Sequence, residues 1–126
     1  MILLDTCIVI DYLRNKPSVV GFIESIGKSN FTLSTAVTIE LYKGVRDRIE
    51  FRTLQKEIQL FGLIEIDNQI SAVANKLAEN YCLSHHMGLG DTLIAATALV
   101  FDLELRTYNL KDFRFIPTLN VSNSLE

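Results

Sequence analysis

The sequence predicts an α/β protein, a three-layer α/β/α arrangement around a central, mainly parallel sheet. Three observations carry that prediction. Short apolar runs of strand length alternate with longer segments of helical period, residues suited to helix caps and turns stand between them, and the first strand candidate is continuously apolar, as in a buried parallel strand.

The chain opens with "MILLD", an apolar run suited to a buried parallel strand, and "CIVIDYLRN" resumes as an amphipathic helix reaching toward Pro17. "SVVGFIESIG" reads as a second helical segment that closes at Gly27. "FTLST" follows as a strand, with Thr32 and Thr35 favouring extended structure, and Ser34 or Thr35 can cap the helix containing "VTIELYKGV". That helix carries Glu40. Arg46 to Phe61 reads as helical, with Ile49, Leu54, Ile58 and Phe61 available for packing. "GLIEI" is a third strand. Asp67 or Asn68 then caps a helix whose Ile70, Val73, Ala74, Leu77, Ala78 and Tyr81 follow the i, i+3, i+4, i+7 pattern. "LSHHMGLGD" is a turn-rich loop, and "TLIAATALVF" behind it is so apolar that it must be buried on most sides. "LELRTYN" reads as a fourth strand, "LKDFRFIP" as its following loop and "TLNV" as a short fifth strand. No repeat, low-complexity segment or linker interrupts this order, so residues 1–126 read as a single domain of the usual size.

Composition narrows the class. A chain of 126 residues that is 48% apolar can supply one core, and no apolar run approaches the roughly 18 residues of a membrane span. With no basic leader and no small-residue cleavage site, the expectation is a soluble cytoplasmic protein without membrane contact. Cys7 and Cys82 are too few for a disulfide framework and lack metal-ligand spacing, so both read as reduced thiols, Cys7 as a small buried residue. A net charge of −3 excludes a strongly basic protein that coats nucleic acid, while leaving room for a local basic groove.

In parallel sheets flanked by helices, ligands bind beyond the carboxyl ends of the strands, where the strand order reverses. Acids at those ends are the residues to examine. Asp5 closes the first strand, Glu40 lies in the helix after the second, Asp91 opens the buried helix and Asp112 follows the fourth strand. Four carboxylates converging on one crevice repel one another unless cations neutralise them, which implies bound metal. Oxygen-only ligands favour Mg²⁺ or Mn²⁺, and magnesium held by few carboxylates completes its shell with water and substrate phosphate. The chemistry this points to is metal-assisted hydrolysis of a phosphodiester, with an activated water attacking in line.

Four segments, "LLDTCIVIDYL", "STAVTIELYKGV", "GLGDTLIAATAL" and "TYNLKDF", occur in order and span nearly the whole chain. On them the sequence resembles the PIN-domain ribonucleases, specifically the VapC toxins of bacterial toxin–antitoxin pairs. The resemblance implies a PIN-like fold in which Asp5, Glu40 and Asp91 form the core acidic triad and Asp112 is the fourth acid. Thr6 and Asn109 take supporting places beside the first and fourth acids. It further implies Mg²⁺- or Mn²⁺-dependent endoribonuclease activity on RNA and homodimers. A cognate VapB-like antitoxin covers the active-site groove with its C-terminal segment, in a heterotetramer or larger assembly. On this reading Asp5 and Asp91 bind the metal directly, while Glu40 and Asp112 hold a second ion or orient the attacking water.

Each residue also has a plainer reading. Asp5 and Asp91 can serve as helix caps, Glu40 can pair with Lys43 three residues on, and Asp112 is an ordinary residue type for a loop. His85 and His86 lack Cys or His partners at ligand spacing and read as a solvated loop pair. Lys43, Arg46, Arg48, Arg52 and Lys56, together with Arg114, suit either RNA phosphates or a solvated surface. Tyr12, Tyr42 and Tyr108 suit base stacking or packing. A haloacid-dehalogenase phosphatase needs a second Asp where Cys7 stands, and a receiver domain needs an acid adjoining Asp5; both readings fail. Two alternatives stay within the resemblance: an RNA-processing PIN nuclease outside a toxin system, and a catalytically silent PIN-like module that binds RNA or protein. Intact carboxylates at all four places favour catalysis.

Overall fold

The computed structural model describes all 126 residues. Five short strands, β1 (Ile2–Leu4), β2 (Phe31–Ser34), β3 (Gly62–Ile64), β4 (Glu104–Arg106) and β5 (Val121–Ser122), form one sheet of order β3-β2-β1-β4-β5. Every pair is parallel, so the predicted mainly parallel sheet is parallel throughout. β1 is the middle strand, with β2 and β3 to one side and β4 and β5 to the other. The strand order therefore reverses at β1, which opens a crevice at its carboxyl end. Leu3, Leu4, Leu33 and Leu105 on the inner strands are all fully buried, as expected where helices cover both faces.

Six helices connect and flank the strands: α1 (Thr6–Leu13), α2 (Pro17–Ile26), α3 (Thr35–Lys43), α4 (Arg48–Ile58), α5 (Asn68–Tyr81) and α6 (Leu89–Phe101). Four of them begin on a side-chain cap of the type the sequence offers. Asp5, Ser34, Asp47 and Asp67 accept from the main-chain N–H of Thr6, Ala36, Glu50 and Ile70 respectively, satisfying donors that a helix start leaves open. Pro17 stands in the first turn of α2, where its missing N–H costs nothing, and Gly27 ends that helix at φ 97°. Side chains are strained at that φ, which is why glycine fits there.

α6 is the greasiest helix and the most enclosed, with Ile94, Ala95, Ala96, Thr97 and Ala98 all buried. It packs along α5 and also touches α3, β2 and β4. Small residues permit that crowding, and the buried Thr97 hydroxyl donates to the Leu93 carbonyl at 2.8 Å, so no donor is left open.

Several boundaries differ from the sequence reading. α4 starts at Arg48 on the Asp47 cap and buries only Leu54 fully, while Ile49 is 79% exposed rather than packed. Phe61 is buried, but beyond the helix end, edge-on to Tyr12 with ring centres 5.8 Å apart. α6 begins at Leu89, so Asp91 lies within its first turn and Gly88 occupies the cap position. Both the main-chain N–H and the hydroxyl of Thr92 donate to the Gly88 carbonyl, which fixes that start. The fifth strand begins later than "TLNV" suggests, because pairing with β4 is set by main-chain bonds from Leu105 to Asn120 and from Thr107 to Ser122. No helix is long and apolar enough to cross a membrane.

Enlarging a residue in the crowded helix tests this packing. Ala96→Leu is expected to destabilise the protein by about 1–3 kcal/mol in urea unfolding, the usual cost of overpacking a filled core.

Candidate active site

The sheet register places the first functional residues without reference to any motif. One residue past the β1–β4 pair Leu4↔Arg106, Asp5 falls beside Thr107; two past the β1–β2 pair Leu3↔Thr32, it falls level with Ser34. Three polar side chains thus form a row across the carboxyl edge of the central strands, and all three are buried. A buried carboxylate needs donors. Asp5 Oδ1 accepts from the Thr6 N–H at 2.8 Å, and Oδ2 accepts from the Thr107 hydroxyl at 2.7 Å. The Thr107 oxygen in turn accepts from the Asn109 N–H at 3.0 Å, which ties the loop after β4 to the first acid. Asp5 therefore does cap α1, as its plainer reading holds, and the same carboxylate faces the crevice.

The other acids come from three different elements. Asp91 is half-buried in the first turn of α6, where the helix dipole favours an anion. Glu40 reaches this helix from α3. A Cβ built on Gly90 would stand 2.5 Å from Glu40 Oε1, so glycine at that position reserves the space the Glu40 carboxylate occupies. Glu40 is exposed and makes no ion pair with Lys43, so of its plainer reading the solvated setting holds and the pairing does not. Asp112 is half-buried at the end of a 3₁₀ turn, Leu110–Asp112, and the fully buried Phe113 behind it anchors that turn to the core.

Electrostatics shows that the four acids share one field. The Asp91 carboxyl is pushed up from its ordinary value of 3.8 to about 6. Burial is the largest cause, followed by the charges of Asp5, Asp112 and Glu40. No three His, Cys, Asp or Glu side chains stand close enough to form a ready cage for an ion. The oxygen donors at this edge are of the type that magnesium takes. Cys7 lies at the edge of the site, its sulfur 3.7 Å from Asp5 Oδ2, and burial above all pushes its thiol up, away from a reactive thiolate.

Thr6 and Asn109 both support the site, through main chain rather than side chain. The Thr6 hydroxyl is buried with no partner, and the Asn109 side chain forms no hydrogen bond within the chain. Among the basic candidates, Lys43 and Arg114 are exposed and free of ion pairs, whereas Arg46 donates to Glu50 Oε1 from Nε at 3.0 Å and from Nη2 at 2.7 Å. Tyr12 is buried and Tyr42 leans on Phe51, so these two pack. Tyr108 donates from its hydroxyl to Asp11 Oδ2 at 2.9 Å, bracing the loop after β4 against α1; burial and that bond push its phenol upward. His85 and His86 are exposed and have no metal-ligand partners, but His85 is not loose, because its ring stacks on Phe115.

Thr107 and Gly90 went unassigned in the sequence although both lie inside the quoted segments. Each would have followed from geometry, Thr107 from the parallel register beside Asp5 and Gly90 from the approach of Glu40 to the start of α6.

The chain matches the PIN domain over residues 2–116. It belongs to the PIN-domain family. Ribonuclease VapC19 of Mycobacterium tuberculosis is 32% identical over 123 residues, covering 94% of this chain and 97% of that protein. Ribonuclease VapC10 of the same organism is 35% identical over 115 residues, covering 90% and 86%. Among solved structures, VapBC-1 from nontypeable Haemophilus influenzae superposes with a TM-score of 0.81 at 26% identity, covering 97% of each chain. The predicted PIN-like architecture and the resemblance to VapC toxins therefore hold. In this PIN domain the acids gather where the strand order reverses.

Two measurements follow from the geometry. Thr107→Val removes the hydroxyl that serves both Asp5 and the Asn109 N–H, and is expected to cost about 1–3 kcal/mol in urea unfolding. Asp91 binds its proton more tightly folded than unfolded, so metal-free protein should lose stability as pH rises from about 4 to 6. In chelator, Asp91→Asn is expected to melt above wild type at neutral pH, with the difference closing toward about pH 4. A difference independent of pH would contradict the shared field.

Proposed function

We propose that this chain, as one PIN domain over residues 1–126, is a Mg²⁺- or Mn²⁺-dependent endoribonuclease and the toxin of a cytoplasmic toxin–antitoxin pair. The observation that carries the reading is the convergence of four acids from separate elements on the strand-order reversal, where burial, and then the charges of Asp5, Asp112 and Glu40, raise the Asp91 carboxyl. Such a cluster is stable when ionised only beside a cation. Relatives that bear the name ribonuclease, at over 30% identity along nearly the whole chain, supply the reaction class.

Asp5 and Asp91 hold the ion, which when bound supplies positive charge against the phosphodiester. The Thr6 N–H and the Thr107 hydroxyl fix the Asp5 carboxylate in place, so it does not reorganise as substrate arrives. Glu40 and Asp112 hold a second ion or orient the attacking water in line with the leaving oxygen. Lys43 and Arg114, both unpaired, contact RNA phosphates; Arg46 can do so only by giving up Glu50.

The antitoxin has a surface to cover. A groove of about 490 Å³ between α1, α3 and α4 is lined half by apolar side chains, among them Ile10, Leu41 and Val45, and half by other residues, among them Arg14, Glu40 and Glu50. An amphipathic segment laid there would meet Glu40, in keeping with a VapB-like partner and with the VapBC assembly of the Haemophilus structure. Homodimers, and heterotetramers or larger with the antitoxin, complete the proposal.

Purified protein is expected to cleave a structured RNA with Mn²⁺ or Mg²⁺, to stop on addition of chelator, and to lose cleavage in Asp5→Asn purified identically. Retained cleavage in Asp5→Asn would sink the mechanism. RNA binding without metal and without cleavage would leave the silent module. A short neighbouring reading frame with a DNA-binding start and a disordered tail is expected beside the gene; without one, an RNA-processing nuclease outside a toxin system is the better account.

A further inference from the structure

An exposed aromatic side chain usually moves, yet the His85 ring is fixed from three directions. One face stacks on Phe115, with centres 3.7 Å apart and planes 13° from parallel. Tyr81 meets its edge at 5.7 Å, and Nδ1 is 2.7 Å from the Ser84 hydroxyl. The main chain contributes too, because the N–H groups of His85 and His86 both donate to the Tyr81 carbonyl and His86 turns at φ 50°. The residue nonetheless remains exposed. A ring held still and left uncovered on one face is a stacking surface waiting for a planar partner.

Its place in the chain indicates which partner. Phe115 follows Asp112 by three residues, and the loop bearing His85 runs into Gly88 and the first turn of α6, where Asp91 stands. The stack thus joins the two segments that carry the second pair of acids. Lys111 and Arg114 flank Asp112, both exposed and without an ion pair, so cations suited to phosphate stand on the same segment as the Phe115 that backs the ring. Single-stranded RNA is read by that combination of unstacked bases on aromatic rings and phosphates on basic side chains.

We propose that the free face of His85 receives a nucleobase of the RNA substrate adjacent to the cleaved bond, with Phe115 as its backing. This rests on the endoribonuclease reading. His85 binds and positions substrate and takes no part in bond cleavage. Its effect therefore belongs in KM.

The test uses the active protein with Mn²⁺ and the structured RNA that it cuts. His85→Ala is expected to raise KM about tenfold or more while kcat holds, and His85→Phe to restore KM, since a phenyl ring still stacks. With RNAs made abasic one position at a time near the cut, wild type should lose KM at one position where His85→Ala loses nothing further. An unchanged KM in His85→Ala overturns the proposal. So does a fall in kcat alone, which would mean that the stack only aligns Asp91 and Asp112, and so does equal sensitivity of both proteins to every abasic site. Absence of RNA cleavage by wild type overturns the nuclease reading, and this proposal with it.

Discussion

Mutual repulsion among four carboxylates is the constraint around which this fold is arranged. Asp5, Glu40, Asp91 and Asp112 come from four separate elements, and nothing in local structure draws them together. Parallel topology does so, because it brings the carboxyl ends of β1, β2 and β4 and the first turn of α6 to one edge. Part of the repulsion is offset by fixed dipoles, since α1, α3 and α6 all point their N-termini at that edge. Part is offset by donors, in the Thr6 N–H and the Thr107 hydroxyl on Asp5. The remainder adds to the effect of burial, the larger cause, in raising the Asp91 carboxyl.

The same edge shows how little space the arrangement allows. Glu40 comes from α3 to the start of α6, and a side chain at position 90 would displace its carboxylate from where it now lies. Behind that turn, Ala95, Ala96 and Ala98 let α6 sit tightly against its neighbours, so the Asp91 end is anchored by the most buried helix in the molecule. Phe113 and Ile116 do for Asp112 what α6 does for Asp91, pinning a short irregular segment with two buried side chains. Each acid is thereby mounted on a rigid support, as preorganised electrostatics requires.

Much of this was legible in the sequence because it rests on short-range rules. Apolar runs gave the strands, and Asp67 and Ser34 marked helix starts through capping chemistry. The acids at strand ends marked the crevice. What could not be read depends on distant pairing. Thr107 became a partner of Asp5 only through register between strands 102 residues apart in sequence, and the β5 boundary was set by bonds from β4 rather than by its own composition. Ile49 fits a helical face yet lies in the open, since periodicity reports which residues share a face and not whether anything covers it. His85 reads correctly as a solvated loop residue, but the Phe115 that its ring stacks on lies 30 positions further along the chain, beyond the reach of local sequence.

Charge settles how an acidic protein can engage RNA at all. With a net charge of −3 and its acids gathered at one edge, the metal-free site repels phosphate. On the proposed reading, a divalent ion neutralises part of that negative charge, so metal and substrate would bind in support of each other. Lys43, Lys111 and Arg114 can then act at short range around the rim, because no carboxylate has claimed them. Arg46 illustrates the contrast: its guanidinium is closed onto Glu50, which keeps positive charge beside the groove from competing for the same phosphates. On the proposed reading, attraction for RNA is thus conditional on the occupied metal site rather than spread over the surface.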